Sequence, residues 1–236
     1  MSSELRDILA QGAESRNIAL NDAQLEAFRK YYEFLEERNR VMNLTAISGE
    51  EDVARLHFLD CIALLKLSDF KNKRVIDIGS GAGFPGIPML IAEPTISLTL
   101  LDAQGKRVNF MSELLEKIGM SAECLHLRAE EAPKELRGAF DYAVSRAVAR
   151  LNILCELCIP FVKKGGYFIA MKGELADEEV AEAERAIKTL GCTLRSVTEY
   201  PIPDTDLRHR AVIMQKTANT PDKYPRRFAV IKKSPL

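Results

Sequence analysis

The stretch VIDIGSGAGFPGIPMLIAEP, residues 75–94, decides the fold. It places glycines at 79, 81, 83 and 86 and prolines at 85 and 88 between an apolar run and a short helical pattern. That sequence of features reads as strand, tight turn and helix. Glycine lacks a Cβ, so such a turn can take positive φ and let a ligand lie against the main chain. On open α/β sheets the first strand-to-helix turn makes the closest ligand contact, beyond the carboxyl ends of the strands.

Outward from this turn the pattern is regular. RVIDI (74–78), SLTLLD (97–102), ECLHL (123–127), FDYAVS (140–145) and YFIAM (167–171) are predicted strands, and PMLIAE (88–93), VNFMSELLEKI (108–118) and LNILCELC (151–158) are predicted helices. Strands alternating with helices imply a parallel sheet covered on both faces. After a charged helix at DEEVAEAERAIKTL (177–190), the strands TLRSVTEY (193–200) and RAVIMQK (210–216) are joined only by PIPDTDLRH, and so are expected to pair antiparallel at an edge. A mostly parallel sheet finished by such a hairpin is the plan of Rossmann-like class I methyltransferases. Upstream, Asn21 and Gln24 form a capping pair ahead of Leu25, Phe28, Tyr32 and Leu35 at helical spacing. Ser48 with Glu51 is predicted to cap a second helix carrying Val53, Leu56, Leu59 and Leu64. The expected organisation is a helical lobe over 1–70, a cofactor-binding domain over 71–218 and a basic tail over 219–236.

Composition bounds the function. The chain has 236 residues, 47% hydrophobic and 28% charged, enough for a buried core and a cleft. With no leader-like segment and no long apolar run, a cytoplasmic protein without membrane contact is expected. Five cysteines argue against a disulfide framework, and Cys155-x-x-Cys158, set in an apolar helical pattern, reads as core packing. His57, His126 and His209 lie on separate predicted elements and suggest no metal site. Net charge is -1, yet the tail KYPRRFAVIKKSPL has five basic residues and no acid, leaving 28 basic against 34 acidic in residues 1–222. Such asymmetry hints at contact with a phosphate backbone.

Two cofactor classes compete for the glycine turn. Gly81, Gly83 and Gly86 satisfy G-x-G-x-x-G, and Asp102 ends the second strand where it could accept from ribose hydroxyls. The register is wrong for a pyrophosphate turn, however, because a fingerprint counted from the first glycine, Gly79, needs glycine where Phe84 stands. Pro85 also removes a donor. The alternative is Ile76-Asp77-Ile78-Gly79-Ser80-Gly81-Ala82-Gly83, which resembles the first motif of S-adenosylmethionine-dependent methyltransferases. That cofactor needs close backbone contact, an acid for its ribose, met by Asp102, and a polar group near its adenine, met by Ala129-Glu130 after the third strand.

The fourth strand ends in Ser145-Arg146-Ala147, with neither an Asn/Asp-Pro-Pro-aromatic loop for exocyclic amines nor a cysteine nucleophile. A ring nitrogen such as guanine N7 carries a lone pair and no proton, so alignment alone serves it and no catalytic acid or base is expected. MNLTAI (42–47), HFLDCIALL (57–65), DIGSGAGFPGIP (77–88), LLDAQGKRVNF (100–110), RAEE (128–131), SRAVA (145–149) and MKG (171–173) resemble, in order and spacing, the bacterial 16S ribosomal RNA N7-guanine methyltransferases of the GidB family. The resemblance spans nearly the whole chain. One departure is Cys61, where that family commonly has serine.

The resemblance implies methyl transfer from S-adenosylmethionine to a guanine N7 in the 530 loop of 16S rRNA, on the RNA or the 30S subunit. It implies that Gly79 and Phe84 line the methionine and adenosine, Ala129 and Glu130 the adenine, and Arg146 the cofactor near the RNA face. The tail then acquires a role, with Lys223, Arg226 and Arg227 on phosphates and Tyr224 stacking on an exposed base over the cleft mouth. A monomer is expected. The open alternatives are an NAD-dependent oxidoreductase on the same glycines, a non-catalytic ribosome-assembly factor of the same fold, and a small-molecule methyltransferase.

Overall fold

A computed structural model describes residues 3–236. The chain opens with helices α1 (Ser3–Glu14) and α2 (Asp22–Met42). The Asn21 side chain accepts from the Gln24 N–H, and the Gln24 side chain accepts from the Asn21 N–H, so the capping box read from the sequence starts α2. The second cap is corrected. Gly49, at φ 87°, precedes α3 (Glu50–Val53), and no side-chain cap bond is made there. The helix that follows is not regular either. A π-helical turn (Ala54–Leu59) separates α3 from α4 (Asp60–Ile62), and a 3₁₀ turn (Ala63–Lys66) ends the run. π turns re-aim side chains and gather at functional sites; this one carries His57 and ends at Asp60.

Among the described residues seven strands form one sheet: β1 (Arg74–Ile78), β2 (Ser97–Asp102), β3 (Glu123–His126), β4 (Phe140–Arg146), β5 (Val162–Lys172), β6 (Cys192–Pro201) and β7 (Arg208–Lys216). Their order is β3-β2-β1-β4-β5-β7-β6, parallel from β3 to β5, with β7 antiparallel to both β5 and β6. This is the Rossmann-like class I methyltransferase fold with its antiparallel edge hairpin. The chain winds outward from β1 to β3 and returns to β4 on the other side of β1, so a crevice opens beyond the ends of β1 and β4. β5 begins at Val162, earlier than its apolar run suggests, because Val162 pairs with Phe140 across a register shift.

Side chains alternate across the sheet, as the period of two demands. Val75, Tyr142, Val144, Ile169 and Met171 point to one core, which includes α5 (Gly86–Ala92), α6 (Gly105–Ile118) and the amino-terminal helices. Ile76, Ile78, Ala143, Phe168 and Ala170 point to the other, against α7 (Leu151–Cys158) and α8 (Ala176–Thr189). Leu9, Phe28 and Leu35 of the helical lobe thus belong to one apolar cluster with sheet residues. Cys155 and Cys158 are fully buried, and burial raises both thiols above their ordinary range. The tail ends in α9 (Phe228–Lys233), seated on α7 through Ile231. Among the described residues no helix is long and apolar enough to cross a membrane.

Candidate cofactor site and active-site cleft

The glycine turn closes on itself. Gly79, Gly81 and Gly83 adopt φ of 71°, 60° and 95°, where a side chain is strained. The N–H groups of Gly79 and Ser80 donate to Leu101 O, those of Gly83 and Phe84 to Ser80 O, that of Gly81 to Asp102 Oδ2 and that of Gly86 to Asp77 Oδ2. Six amides of residues 79–86 are therefore used within the protein, and Pro85 has none. Asp77, wholly buried, is held well above the usual carboxylate range by burial. It draws Gly86 so close that a Cβ there would come within 2.9 Å of Asp77 Oδ2 and Leu100 Cδ2. A Cβ at Gly81 meets nothing nearer than 3.9 Å, so this glycine faces open space.

Asp102 lies beside the turn. Its Oδ2 accepts from Gly81 N at 2.9 Å and its Oδ1 from Gln104 N at 2.8 Å, with Arg107 Nη1 3.6 Å from Oδ2. Each carboxylate oxygen has two acceptor sites, so one on each stays available for a hydroxyl donor. Leu127 N donates to Asp102 O, which brings the turn with Ala129 and Glu130 alongside; the Glu130 side chain is largely covered, with Arg128 3.9 Å away. Gly79, Gly81, Asp102, Ala129 and Glu130 thus converge at one end of the sheet. Lys106 is exposed at the start of α6. The set fits a nucleoside joined to an amino acid: acceptors for hydroxyls, bare main chain, and turn amides already bonded where a pyrophosphate would need them free.

On the far side of the β1–β4 crevice, Arg146 is the centre of a network. Its Nη1 donates to Asp60 Oδ2 and Leu56 O, both at 3.2 Å, and its Nη2 to His57 Nδ1 at 2.8 Å. The guanidinium lies 4.6 Å from the Phe84 ring centroid, and the His57 ring stacks on Phe84 at 4.3 Å. Phe84 is buried among Tyr31, Phe58 and His57, so it locks the turn to the helical lobe, while the Tyr31 hydroxyl donates to Ala82 O. Asp60 Oδ1 accepts from Tyr200 Oη at 3.0 Å and from His209 Nδ1 at 2.9 Å. The histidines, scattered in sequence, therefore do not stay apart: His57 and His209 both join the Arg146–Asp60 pair, and only His126 lies elsewhere, its Nε2 3.2 Å from Ala103 O. Among the described residues no group of His, Cys, Asp or Glu is arranged to hold a metal ion.

Because Arg146 can only donate, His57 Nδ1 accepts, and Nε2 carries the proton to Thr45 Oγ1 at 2.8 Å. Burial first, and the Arg146 charge second, push the His57 pKa down to about 3. A histidine depressed in this way stabilises the fold above its unfolded pKa and loses that contribution as pH falls. Stability is therefore expected to drop by up to ~1.4 kcal/mol per pH unit between about 6.5 and 3. His57→Asn should flatten that slope in urea titrations at several pH values; an unchanged slope would contradict the assignment.

The network forms one wall of a cleft of about 570 Å³, lined also by Ile47, Val148, Met171 and His209. Val148 sits over Gly79, whose Cβ would approach Val148 Cγ2 to 2.5 Å. The loop bearing Val148 is fixed by a covered ion pair: Lys172 Nζ donates to Ala149 O and Glu179 Oε2, and Glu179 Oε2 accepts from Leu151 N, each at 2.7 Å.

The tail is not placed as the sequence suggested. Arg137 Nη1 donates to Tyr224 O, and Tyr224 lines a pocket with Gly138, Pro160 and Val162, residues at the amino-terminal ends of β4 and β5. That end of the sheet is opposite the crevice. Tyr224 is 7% exposed and sits in the second core, so its ring is not free to stack on a base. Arg226 donates from Nε and Nη2 to the fully buried Glu156, a bidentate pair that occupies its guanidinium. Lys223 and Arg227 are exposed.

Fold and site together define a methyltransferase of the Rossmann-like class. The chain matches the family model described as GidB, rRNA small subunit methyltransferase G, over residues 24–207. It is 45% identical over 237 residues to Ribosomal RNA small subunit methyltransferase G of Clostridium botulinum (strain Loch Maree / Type A3), covering 99% of each chain. To the protein of the same name in Alkaliphilus oremlandii it is 45% identical over 238 residues, again covering 99% of each. Among solved structures, a SAM-dependent methyltransferase from Aquifex aeolicus superposes with a TM-score of 0.54 at 20% identity, covering 69% of this chain and 92% of its own. A Burkholderia thailandensis 1,6-didemethyltoxoflavin-N1-methyltransferase gives 0.55 at 14% identity, covering 82% and 88%. Those two likenesses carry the fold alone. The chain belongs to the GidB family.

Proposed function

We propose that this chain transfers a methyl group from S-adenosylmethionine to N7 of a guanine in the 530 loop of 16S rRNA, acting as a monomer in the cytoplasm on the RNA or the 30S subunit. The observation that carries the choice of cofactor is the bonding of the turn: six amides of residues 79–86 are already used, and Pro85 has none. A nicotinamide dinucleotide would need those donors for its pyrophosphate. Membership of the GidB family supports the substrate class.

When bound, S-adenosylmethionine supplies an electrophilic methyl carried on a sulfonium. Asp102 would accept from the ribose hydroxyls, Ala129 and Glu130 would border the adenine, and Gly81, which faces open space, would let the main chain approach beside Gly79, which Val148 covers. Arg146, its guanidinium fixed by Asp60 and His57, has Nε–H and one Nη2–H left for the amino-acid end. Guanine N7 forms the new bond to carbon as the carbon–sulfur bond breaks, the electron pair leaving with sulfur and the positive charge passing to the base. Alignment and exclusion of water are the protein's contribution. For the RNA backbone, Lys223 and Arg227 are the exposed basic residues of the tail; Lys223, its ammonium 5.3 Å over the Tyr224 ring, lies at the sheet end away from the crevice and would meet RNA outside the cleft, while Tyr224 and Arg226 serve the fold.

The test is incubation with labelled methyl donor and 16S rRNA or small subunits lacking the modification, followed by mapping of the labelled nucleotide. N7-methylguanine in the 530 loop is expected. Donor binding without any label in RNA would leave the non-catalytic assembly reading standing and sink this one.

A further inference from the structure

We propose that His209 contacts the target base: its Nε2 accepts a hydrogen bond from the N1–H or N2–H edge of guanine, a bond that tightens as methyl transfer makes the base cationic. The inference rests on the methyl-transfer reading above and assigns the base-facing wall of the same cleft.

The geometry is that of an oriented imidazole with one nitrogen left over. Asp60, which takes hydrogen bonds from Arg146 and Tyr200, is the acceptor, so the 2.9 Å contact fixes the His209 proton on Nδ1. Tyr200, whose hydroxyl shares the same Asp60 oxygen, meets the ring edge-on with centroids 6.4 Å apart. The neutral ring then presents a bare lone pair on Nε2, which bonds to no described residue. His209 is 32% exposed in its side chain and lines the cleft that also holds Arg146 and Val148, the latter directly over Gly79. His57, on the same network, has both nitrogens consumed and offers a ligand nothing.

The chemistry suits guanine. Its Watson–Crick edge presents adjacent N1–H and N2–H donors, whereas adenine sets its one donor group, N6–H, beside an acceptor at N1, so an imidazole acceptor finds two donors on the first and a lone pair opposed to its own on the second. Charge reaching the ring on N7 attack makes N1–H and N2–H stronger donors, and a charge-assisted bond is roughly twice as strong as a neutral one. The proton stays on the base. An interaction that grows only in the transition state appears in kcat and not in KM.

The role has a pH signature, because only the neutral ring accepts. His209 faces Asp60 from α4, Arg146 from β4 and Tyr200 from β6, with Arg16 acting on Asp60 and Tyr200 from the α1 side. The Asp60 bond raises the His209 pKa, against opposition from burial and Arg146. The rate should therefore climb with pH as the imidazolium loses its proton.

The experiment measures initial rates of methyl transfer to 16S rRNA across pH for the wild type, His209→Ala and His209→Gln. Calorimetry with S-adenosylhomocysteine and RNA binding at several salt concentrations accompany the rates. His209→Ala is expected to lower kcat about 10²-fold, to keep donor affinity within about twofold, and to lose the rising limb. His209→Gln, whose amide oxygen still accepts, should recover about tenfold of that loss with no limb at all. A wild-type kcat and limb in His209→Ala, or a persisting limb in His209→Gln, overturns the proposal. So does an unchanged kcat with weakened RNA affinity and a shallower salt dependence, which would make His209 a phosphate contact. If the wild type itself places no methyl on guanine, the parent reading has failed before the variants are compared.

Discussion

Exchanging Asp102 for alanine will weaken binding of S-adenosylhomocysteine by roughly 10²- to 10⁴-fold in calorimetry while the protein stays folded. The carboxylate has two remaining acceptor sites, and a hydrogen bond to a charged group is worth ~1.5–3 kcal/mol, so losing two costs about that range of affinity. The same change releases Gly81 N and Gln104 N, loosening the turn that faces the ligand. Asp102→Asn should fall between, because it keeps one acceptor oxygen and gives up the charge. Wild-type affinity in folded Asp102→Ala would remove the nucleoside assignment and with it the methyl donor.

The second large effect is on stability. Arg226→Ala will destabilise the fold by about 3 kcal/mol, since removing one member of a buried pair strands the other charge. Glu156 is fully buried and is held by Arg226 through Nε, Nη2 and its own backbone N–H; only the last bond, at 2.7 Å, survives the truncation. Urea unfolding of the variant is the measurement. The double variant Arg226→Met/Glu156→Met should regain most of the loss, because an apolar pair of similar volume fills the site without an unpaired charge. A loss of RNA affinity at unchanged stability would instead return Arg226 to the nucleic-acid surface.

The sequence was informative wherever the structure is local. The strand, the turn with its positive-φ glycines, the acid at the end of β2 and the Asn21–Gln24 box are each encoded within a few neighbouring residues. The Arg146 network is not. Thr45, His57 and Asp60 come from the helical lobe, Arg146 from β4, and Tyr200 and His209 from the edge hairpin, so no single window contains the constellation. The spacing of His57 and Asp60 three apart in HFLDC is the one local signal that both face one way. The tail departs from its sequence expectation for a related reason. Glu156 lies inside the apolar pattern LNILCELC, where a lone carboxylate demands a cation from somewhere, and Arg226 supplies it. Ser48 failed as a cap because the next residue, Gly49, takes the conformation that precedes the helix.

Tyr31 holds the main chain of the donor turn from α2, and Phe84 inserts into the lobe's aromatic cluster from the turn itself. This mutual grip means that the helical lobe is no movable cap. It melts, if it melts, in one cooperative unit with the sheet face it covers. Lesions in the lobe that disturb Tyr31 or Phe84 are therefore expected to surface as weakened capture of the methyl donor.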